Sequence, residues 1–149
     1  FYLAQEYIDG ISLAEELKLH RLLRPISEQT VVMILHELLQ ILDFVHGQGV
    51  IHRDVKPANV IRRRSDRKLV LIDFGAVKQV TNLEEQADGT VLTVAIGTKG
   101  YTAPEQLMGQ PCPASDIYSL GMTGIRALTG IEPSKLDSGQ GEPMQRVDW

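Results

Sequence analysis

The chain has 149 residues, 43% of them hydrophobic and 23% charged, with a formal net charge of −4. That length suits one domain burying about two thirds of its unfolded surface, and the mixture is that of a globular protein. The acidic balance argues against a general nucleic-acid binder, and a lone cysteine, Cys112, forms no internal disulfide, as expected of a reducing, cytoplasmic setting. No apolar run is expected to reach the roughly 18 residues of a membrane span.

The start, "FYLAQEYIDG", carries no initiator Met, basic n-region or cleavage-site pattern, which predicts a segment of a longer polypeptide. "FYLAQEYI" reads as a strand that ends at the turn signal Asp9-Gly10. "SLAEELK" follows as a short helix capped by Ser12. Pro25-Ile26-Ser27 opens a longer helix, with Val31, Ile34, Leu35, Leu38, Leu42 and Val45 at helical spacing and Gly47 as its close. Ile41 and Phe44 widen that stripe and predict burial over much of the helix surface. "NVIRRR" and "KLVLID" flank Ser65-Asp66 as a hairpin, and the chain from Gly75 to Ala103 is a long polar, Thr-rich loop, of a length that is usually functional or disordered. "SDIYSLGMTGIRALTG" is a second strong helix, with Ser115 near its start and Gly130 at its end. Gly121 and Gly124 weaken it and so predict close packing there. The tail from Ser134 to Trp149 reads as a linker, and there is no internal repeat.

"VIHRDVKPANVI", Val50 to Ile61, sets an Asp, a Lys and an Asn on one short loop. Phosphoryl transfer to a hydroxyl calls for those groups. A carboxylate aims the acceptor hydroxyl and takes its proton late, since a free Asp, with a pKa near 4, is a weak base at neutral pH. An ammonium balances charge on the transferring group. Hard Mg²⁺ prefers oxygen ligands such as a carboxylate and an amide. Asp54, Lys56 and Asn59 supply the first three groups and Asp73, in "IDFG", the second carboxylate. A hairpin between Asn59 and Asp73 brings both toward one metal site, and Gly75 gives the backbone freedom to turn into the long loop.

His52-Arg53-Asp54 with Lys56 and Asn59, then Asp73-Phe74-Gly75, then Ala103-Pro104-Glu105, resembles the protein-kinase signature set, in order and across nearly the whole chain. The resemblance is to eukaryotic-like (Hanks-type) Ser/Thr kinases, in their bacterial and especially cyanobacterial form. It implies an α+β, mainly α fold, the kinase large lobe with short hairpins. It divides the chain into a hinge strand and connection (1–11), a partial large lobe (12–133, with catalytic loop 52–59 and activation segment 73–105) and the tail (134–149). It further implies Asp54, Lys56 and Thr98 as catalytic residues, and Asn59 and Asp73 as Mg²⁺ ligands. Glu6, Ile8, Asn59, Ile61 and Asp73 become the ATP-binding set, with Gln5 as gatekeeper. Asp116 resembles the aspartate that anchors the catalytic loop, and His52 and Phe74 members of a hydrophobic spine. An Arg53 beside Asp54, with Lys78, implies pairing with a phosphorylated loop threonine, Thr90 or Thr93.

No G-x-G-x-x-G and no V-A-I-K element precedes the hinge-like strand, and no arginine partner for Glu105 is visible. The chain by itself is therefore expected to bind ATP weakly and to have negligible kinase activity. Blander readings exist. Asp54, Lys56 and Asn59 could be a solvated loop, and Asp73 alone a turn residue. "RRRSDRK" lacks interleaved aromatics and reads as a hairpin tip rather than a nucleic-acid patch. His20, His36 and His46 have no metal-ligand spacing and read as surface or core histidines. The alternatives kept open are a pseudokinase or scaffold that binds nucleotide or partners without turnover, and a kinase-like small-molecule phosphotransferase. The implied cofactors and partners are ATP, Mg²⁺ and a protein substrate.

Overall fold

A computed structural model describes residues 6–23, 26–74 and 97–136. Strand β1 (Gly10–Ser12) leads into helix α1 (Leu13–Leu23), and helix α2 (Glu28–Gly47) follows. Strands β2 (Val60–Arg63) and β3 (Leu69–Leu71) come next, then the short helix α3 (Pro104–Leu107), helix α4 (Pro113–Thr129) and the single turn α5 (Pro133–Leu136). The fold is mainly helical with one antiparallel sheet of order β1-β2-β3. Of the strand read in "FYLAQEYI", residues 6–8 carry no regular secondary structure, and 1–5 lie outside the described residues. Gly10 opens β1 instead of closing a turn. Its Cα sits against β2 so tightly that a Cβ would run into the Arg62 carbonyl and come 2.6 Å from Ile61 Cγ2.

The helix starts follow from local chemistry. Ser12 Oγ accepts from the Glu15 amide at 3.2 Å while the Glu15 carboxylate takes the Ser12 amide at 3.0 Å, a reciprocal capping box. α1 runs beyond the short helix read from "SLAEELK". Ser27 Oγ caps α2 by accepting from the Thr30 amide at 3.2 Å. Val31, Ile34, Leu38, Leu42 and Val45 are buried along one stripe, with Leu35 and Ile41 partly buried beside it. Val31, Ile34, Leu38 and Leu42 pack with Leu13, Leu17, Val55, Val60, Leu69 and Leu120 into one core.

Phe44 departs from expectation: it is 70% exposed, as Val32 and Met33 are at 57% each. Spacing fixes which positions share a face, whereas burial requires a neighbour on that face. The same apolar excess makes α2, by length and composition alone, able to cross a membrane, with a mean hydropathy of 1.3. This corrects the expectation that no run passes that test. The run is masked in sequence by Glu37 and Asp43, and in the fold its stripe packs into the core while Glu37 accepts the Leu69 amide of β3 at 2.6 Å.

The hairpin forms as read, with Val60 opposite Leu71 and Arg62 opposite Leu69. Its arginines face acids: Arg63 makes a forked pair with Asp66 at 2.9 and 2.7 Å, and Arg62 reaches Glu16 on α1 at 2.7 Å. That fork holds the exposed Asp66 carboxyl down at about 2. α4 begins at Pro113, with Ser115 inside its first turn, and ends at Gly130 with φ 68. Its two glycines differ. A Cβ on Gly124 would lie 3.1 Å from Leu35 Cδ1 on α2, whereas Gly121 has nothing within 4 Å and is not closely packed. Residues 134–136 belong to α5, and 137–149 lie outside the described residues.

Candidate active site

After α2 the chain turns at Gly49 (φ 74) and enters the loop 50–56. Arg53 sits there with φ 70, a left-handed backbone that costs a non-glycine residue about 1–3 kcal/mol and needs outside support. The support is Asp116, fully buried in the first turn of α4. Its Oδ1 accepts the Arg53 amide at 2.8 Å and its Oδ2 the His52 amide at 2.9 Å. Such bonds to a charged acceptor contribute about 1.5–3 kcal/mol each, enough to offset the strain. The expected anchoring geometry of Asp116 is thus present.

His52 is the second fixed point. Its ring is buried, and burial pushes its pKa below the ordinary value against the opposing pull of the Ile72 carbonyl and of Asp116, Asp54 and Asp73. Nδ1 of the neutral ring accepts the Asp54 amide at 3.3 Å, so Nε2 carries the hydrogen and donates to the Ile72 carbonyl at 3.0 Å. The ring also packs on Phe74, centroids 4.6 Å apart.

Asp54, so held, is the centre of a polar cluster. Lys56 Nζ donates to its Oδ2 at 2.6 Å and to Thr98 Oγ1 at 2.7 Å, and Thr98 donates to Asp54 Oδ1 at 2.9 Å. Asn59, which closes the 3-10 turn Pro57–Asn59, donates through Nδ2 to Oδ2 and to the carbonyl of Asp54, both at 2.9 Å. Asn59 and Asp73 are brought to the same end of the hairpin. The Ile72 amide donates to the Asn59 carbonyl at 2.9 Å, and Asp73 follows directly, exposed and with φ 60.

The donors suit a hard divalent cation. Nδ2 of Asn59 is spent on Asp54, which leaves Oδ1 as an acceptor, and the Asp73 carboxylate supplies the charged oxygen. Mg²⁺ typically takes one or two protein oxygens and keeps the rest for water and phosphate.

The other sequence candidates are placed as follows. Glu6 and the half-buried Ile8 lie on the irregular stretch before β1, and Ile61 is central in the sheet, opposite Ser12 and Val70. Gln5, Lys78, Thr90 and Thr93 fall outside the described residues. A cavity of about 660 Å³ lies between α1 and the end of α4, beside Leu17 and Arg126, and no residue of the Asp54 cluster lines it.

Segment 97–103, which carries Thr98, is tied down by residues that sequence reading did not single out. Ser119 Oγ donates to the Tyr101 carbonyl at 2.7 Å, and Arg126 Nη1 to the Tyr101 phenol at 3.1 Å. Burial raises the Tyr101 pKa, with Arg126 opposing. Gln106 Nε2 donates to the Arg53 carbonyl at 2.6 Å, joining α3 to the loop. Glu105 meets Ser115, whose hydroxyl donates to it at 2.6 Å and lowers its pKa. His46, read as a surface or core histidine, contacts Asp116 at 2.8 Å. Each of these partners is distant in sequence, so no local spacing announces them.

The sequence model for the protein kinase domain matches residues 1–148. The chain is 46% identical to serine/threonine-protein kinase B of Synechocystis sp., covering 100% of this chain and 26% of that protein. It is 45% identical to serine/threonine-protein kinase PknA of Nostoc sp., covering 93% of this chain and 24% of that one. The chain thus spans about a quarter of the length of these relatives. Among solved structures, the kinase domain of Mycobacterium tuberculosis PknI superposes with a TM-score of 0.65 at 28% identity, over 86% of this chain and 44% of that one. With the Asp54 cluster in place and the match running nearly end to end, the chain belongs to the protein kinase domain family, among relatives named as serine/threonine kinases.

Proposed function

We propose that this chain forms the catalytic face of a Ser/Thr protein kinase that moves the γ-phosphoryl group of ATP to a hydroxyl of a protein substrate. The observation that carries this is the convergence of Lys56, Thr98 and Asn59 on the carboxylate of Asp54. Asp54 accepts a hydrogen bond from the substrate hydroxyl, aims its oxygen in line, and receives its proton late. Lys56, already within reach of Asp54, turns its ammonium to the phosphoryl oxygens as charge moves onto the bridging oxygen of the leaving group. Thr98 holds Asp54 and Lys56 in register.

Asn59 and Asp73 hold Mg²⁺, which when bound neutralises phosphate charge. The backbone of Glu6 and Ile8 binds adenine, and Ile61 and Asn59 complete the nucleotide site. The reading for the isolated chain is weak ATP binding and negligible turnover, since it carries no Gly-rich loop and no V-A-I-K lysine. Regulation follows from Arg53. Its Nε is buried without a hydrogen-bond partner among the described residues, and a phosphate on Thr90 or Thr93, with Lys78, would give it one.

The test is transfer from labelled ATP by the complete protein that contains this chain, against its Asp54→Asn variant. Transfer to protein hydroxyls that falls at least about 100-fold in the variant is expected. Equal transfer by both, or transfer only to small molecules, overturns the reading; nucleotide binding without any transfer favours a scaffold. Phosphorylated Thr93 that leaves activity and loop order unchanged removes the regulatory part.

A further inference from the structure

Lys99 stands between Thr98, which touches Asp54, and Gly100, whose α-carbon lies tight against Pro133 and Ser134. The Tyr101 amide donates to the Thr98 carbonyl at 2.9 Å and Gly100 has φ 88, so residues 98–101 form a turn of the kind that calls for glycine at its third position. Neither end of the turn is loose. Thr98 is bonded to Asp54 and Lys56, and the buried Tyr101 has its phenol on Arg126 and its carbonyl on Ser119. Lys99 is exposed on this fixed turn. Lys56, Arg62, Arg63, Arg64 and Arg126 each pair with a carboxylate, whereas Lys99 has no hydrogen-bond or ion-pair partner among the described residues.

A substrate that reaches Asp54 must pass this point. Asp54 Oδ2 takes hydrogens from Lys56 and Asn59, and Oδ1 takes one from Thr98. Oδ1 therefore has the freer lone pair for an incoming hydroxyl. A hydroxyl bonded there comes within about 6 Å of the Thr98 oxygen, two hydrogen bonds end to end. Successive residues of a peptide step about 3.8 Å between α-carbons, so a near neighbour of the acceptor residue is brought to the side chain that follows Thr98. An ammonium has three donors and no acceptor, and a carboxylate is the peptide side chain that satisfies it best.

We propose that Lys99 is a specificity-determining residue: its ammonium pairs with an aspartate or glutamate of the protein substrate one or two residues from the acceptor hydroxyl. This rests on the kinase reading of Asp54 above.

The experiment uses the complete protein, labelled ATP and a set of synthetic peptides in which a fixed serine or threonine is flanked, within two positions on either side, by Asp, Glu, Ala or Lys. Wild type is expected to favour the acid over alanine at one of these positions by about 10-fold in kcat/KM, chiefly through KM. Lys99→Ala is expected to bring that ratio near one, and Lys99→Arg to keep it. Lys99→Glu is expected to favour lysine at the same position instead. The ratio is taken within each variant, so a general loss of activity does not move it. A wild type that phosphorylates peptides without regard to the acid, or a preference that survives Lys99→Ala, overturns the proposal and leaves the kinase reading intact. A complete protein that transfers no phosphoryl group to any peptide or to itself overturns the kinase reading, and the role of Lys99 falls with it.

Discussion

Thr98 and Asp54, 44 positions apart in sequence, are joined by a hydrogen bond of 2.9 Å from hydroxyl to carboxylate. The same hydroxyl accepts from Lys56 Nζ at 2.7 Å, so one oxygen sets the spacing between an acid and an ammonium. Thr98→Ala in the complete protein leaves the lysine and the carboxylate to pair without a third point. A bond of this charged kind is worth about 1.5–3 kcal/mol, so kcat should fall about 10- to 100-fold. Thr98→Ser keeps the hydroxyl and should stay within a few-fold of wild type. Steady-state phosphoryl transfer measures both.

The buried neutral ring of His52 links stability to pH. Its folded pKa lies below the ordinary value of 6.5 that it has when unfolded. The unfolded chain therefore takes up a proton that the folded chain refuses, and the folded state loses ground as pH falls below about 6.5. Above that value this ring contributes no pH dependence. Urea midpoints at pH 7.5, 6.5 and 5.5 should drop at the acid end, and His52→Leu, though less stable throughout, should show a shallower drop.

Gly121 and Gly124 make a paired test of helix packing. Alanine in place of an unhindered helical glycine stabilises by about 0.5–1 kcal/mol. Gly121→Ala meets nothing within 4 Å and should gain that amount. Gly124→Ala places its methyl 3.1 Å from Leu35 Cδ1, and the displacement of Leu35 should cancel the gain. Denaturation is expected to place Gly121→Ala about 0.5–1 kcal/mol above wild type and Gly124→Ala close to wild type.

Gly100 combines a φ of 88 with contact against the backbone of Ser134 and Pro133, the latter's carbonyl carbon 2.6 Å from where a Cβ would sit. Gly100→Ala is thus strained twice, once in its own backbone and once against α5. A loss of about 2–4 kcal/mol is expected, and limited proteolysis should cut the 97–103 segment sooner.

The parts of this fold legible in sequence are those fixed by near neighbours. Ser27 announces a helix start because its hydroxyl bonds an amide three residues on. The hairpin shows because strand pattern and turn residues lie side by side, and the Asp54–Asn59 loop because its residues are close in the string. Phe44 was misread because periodicity says which way a side chain points, not what covers it. The glycines of α4 look alike in sequence and differ only in whether Leu35 stands opposite. His46, Gln106 and Ser115 stayed hidden because each is a single polar residue whose partner comes from another element. The role of Asp116 was legible through family resemblance alone.

Both peptide planes flanking the Ile72 α-carbon are engaged, the first through its amide by the Asn59 carbonyl and the second, a clamped plate leading into Asp73, through its carbonyl by the His52 ring. Asp73 hangs directly from that clamped plate. Its carboxylate can therefore be re-aimed only by rotation at its own α-carbon and beyond, like a gate on a post set in concrete. Displacing the post itself would mean parting the hairpin from the buried imidazole at the same moment.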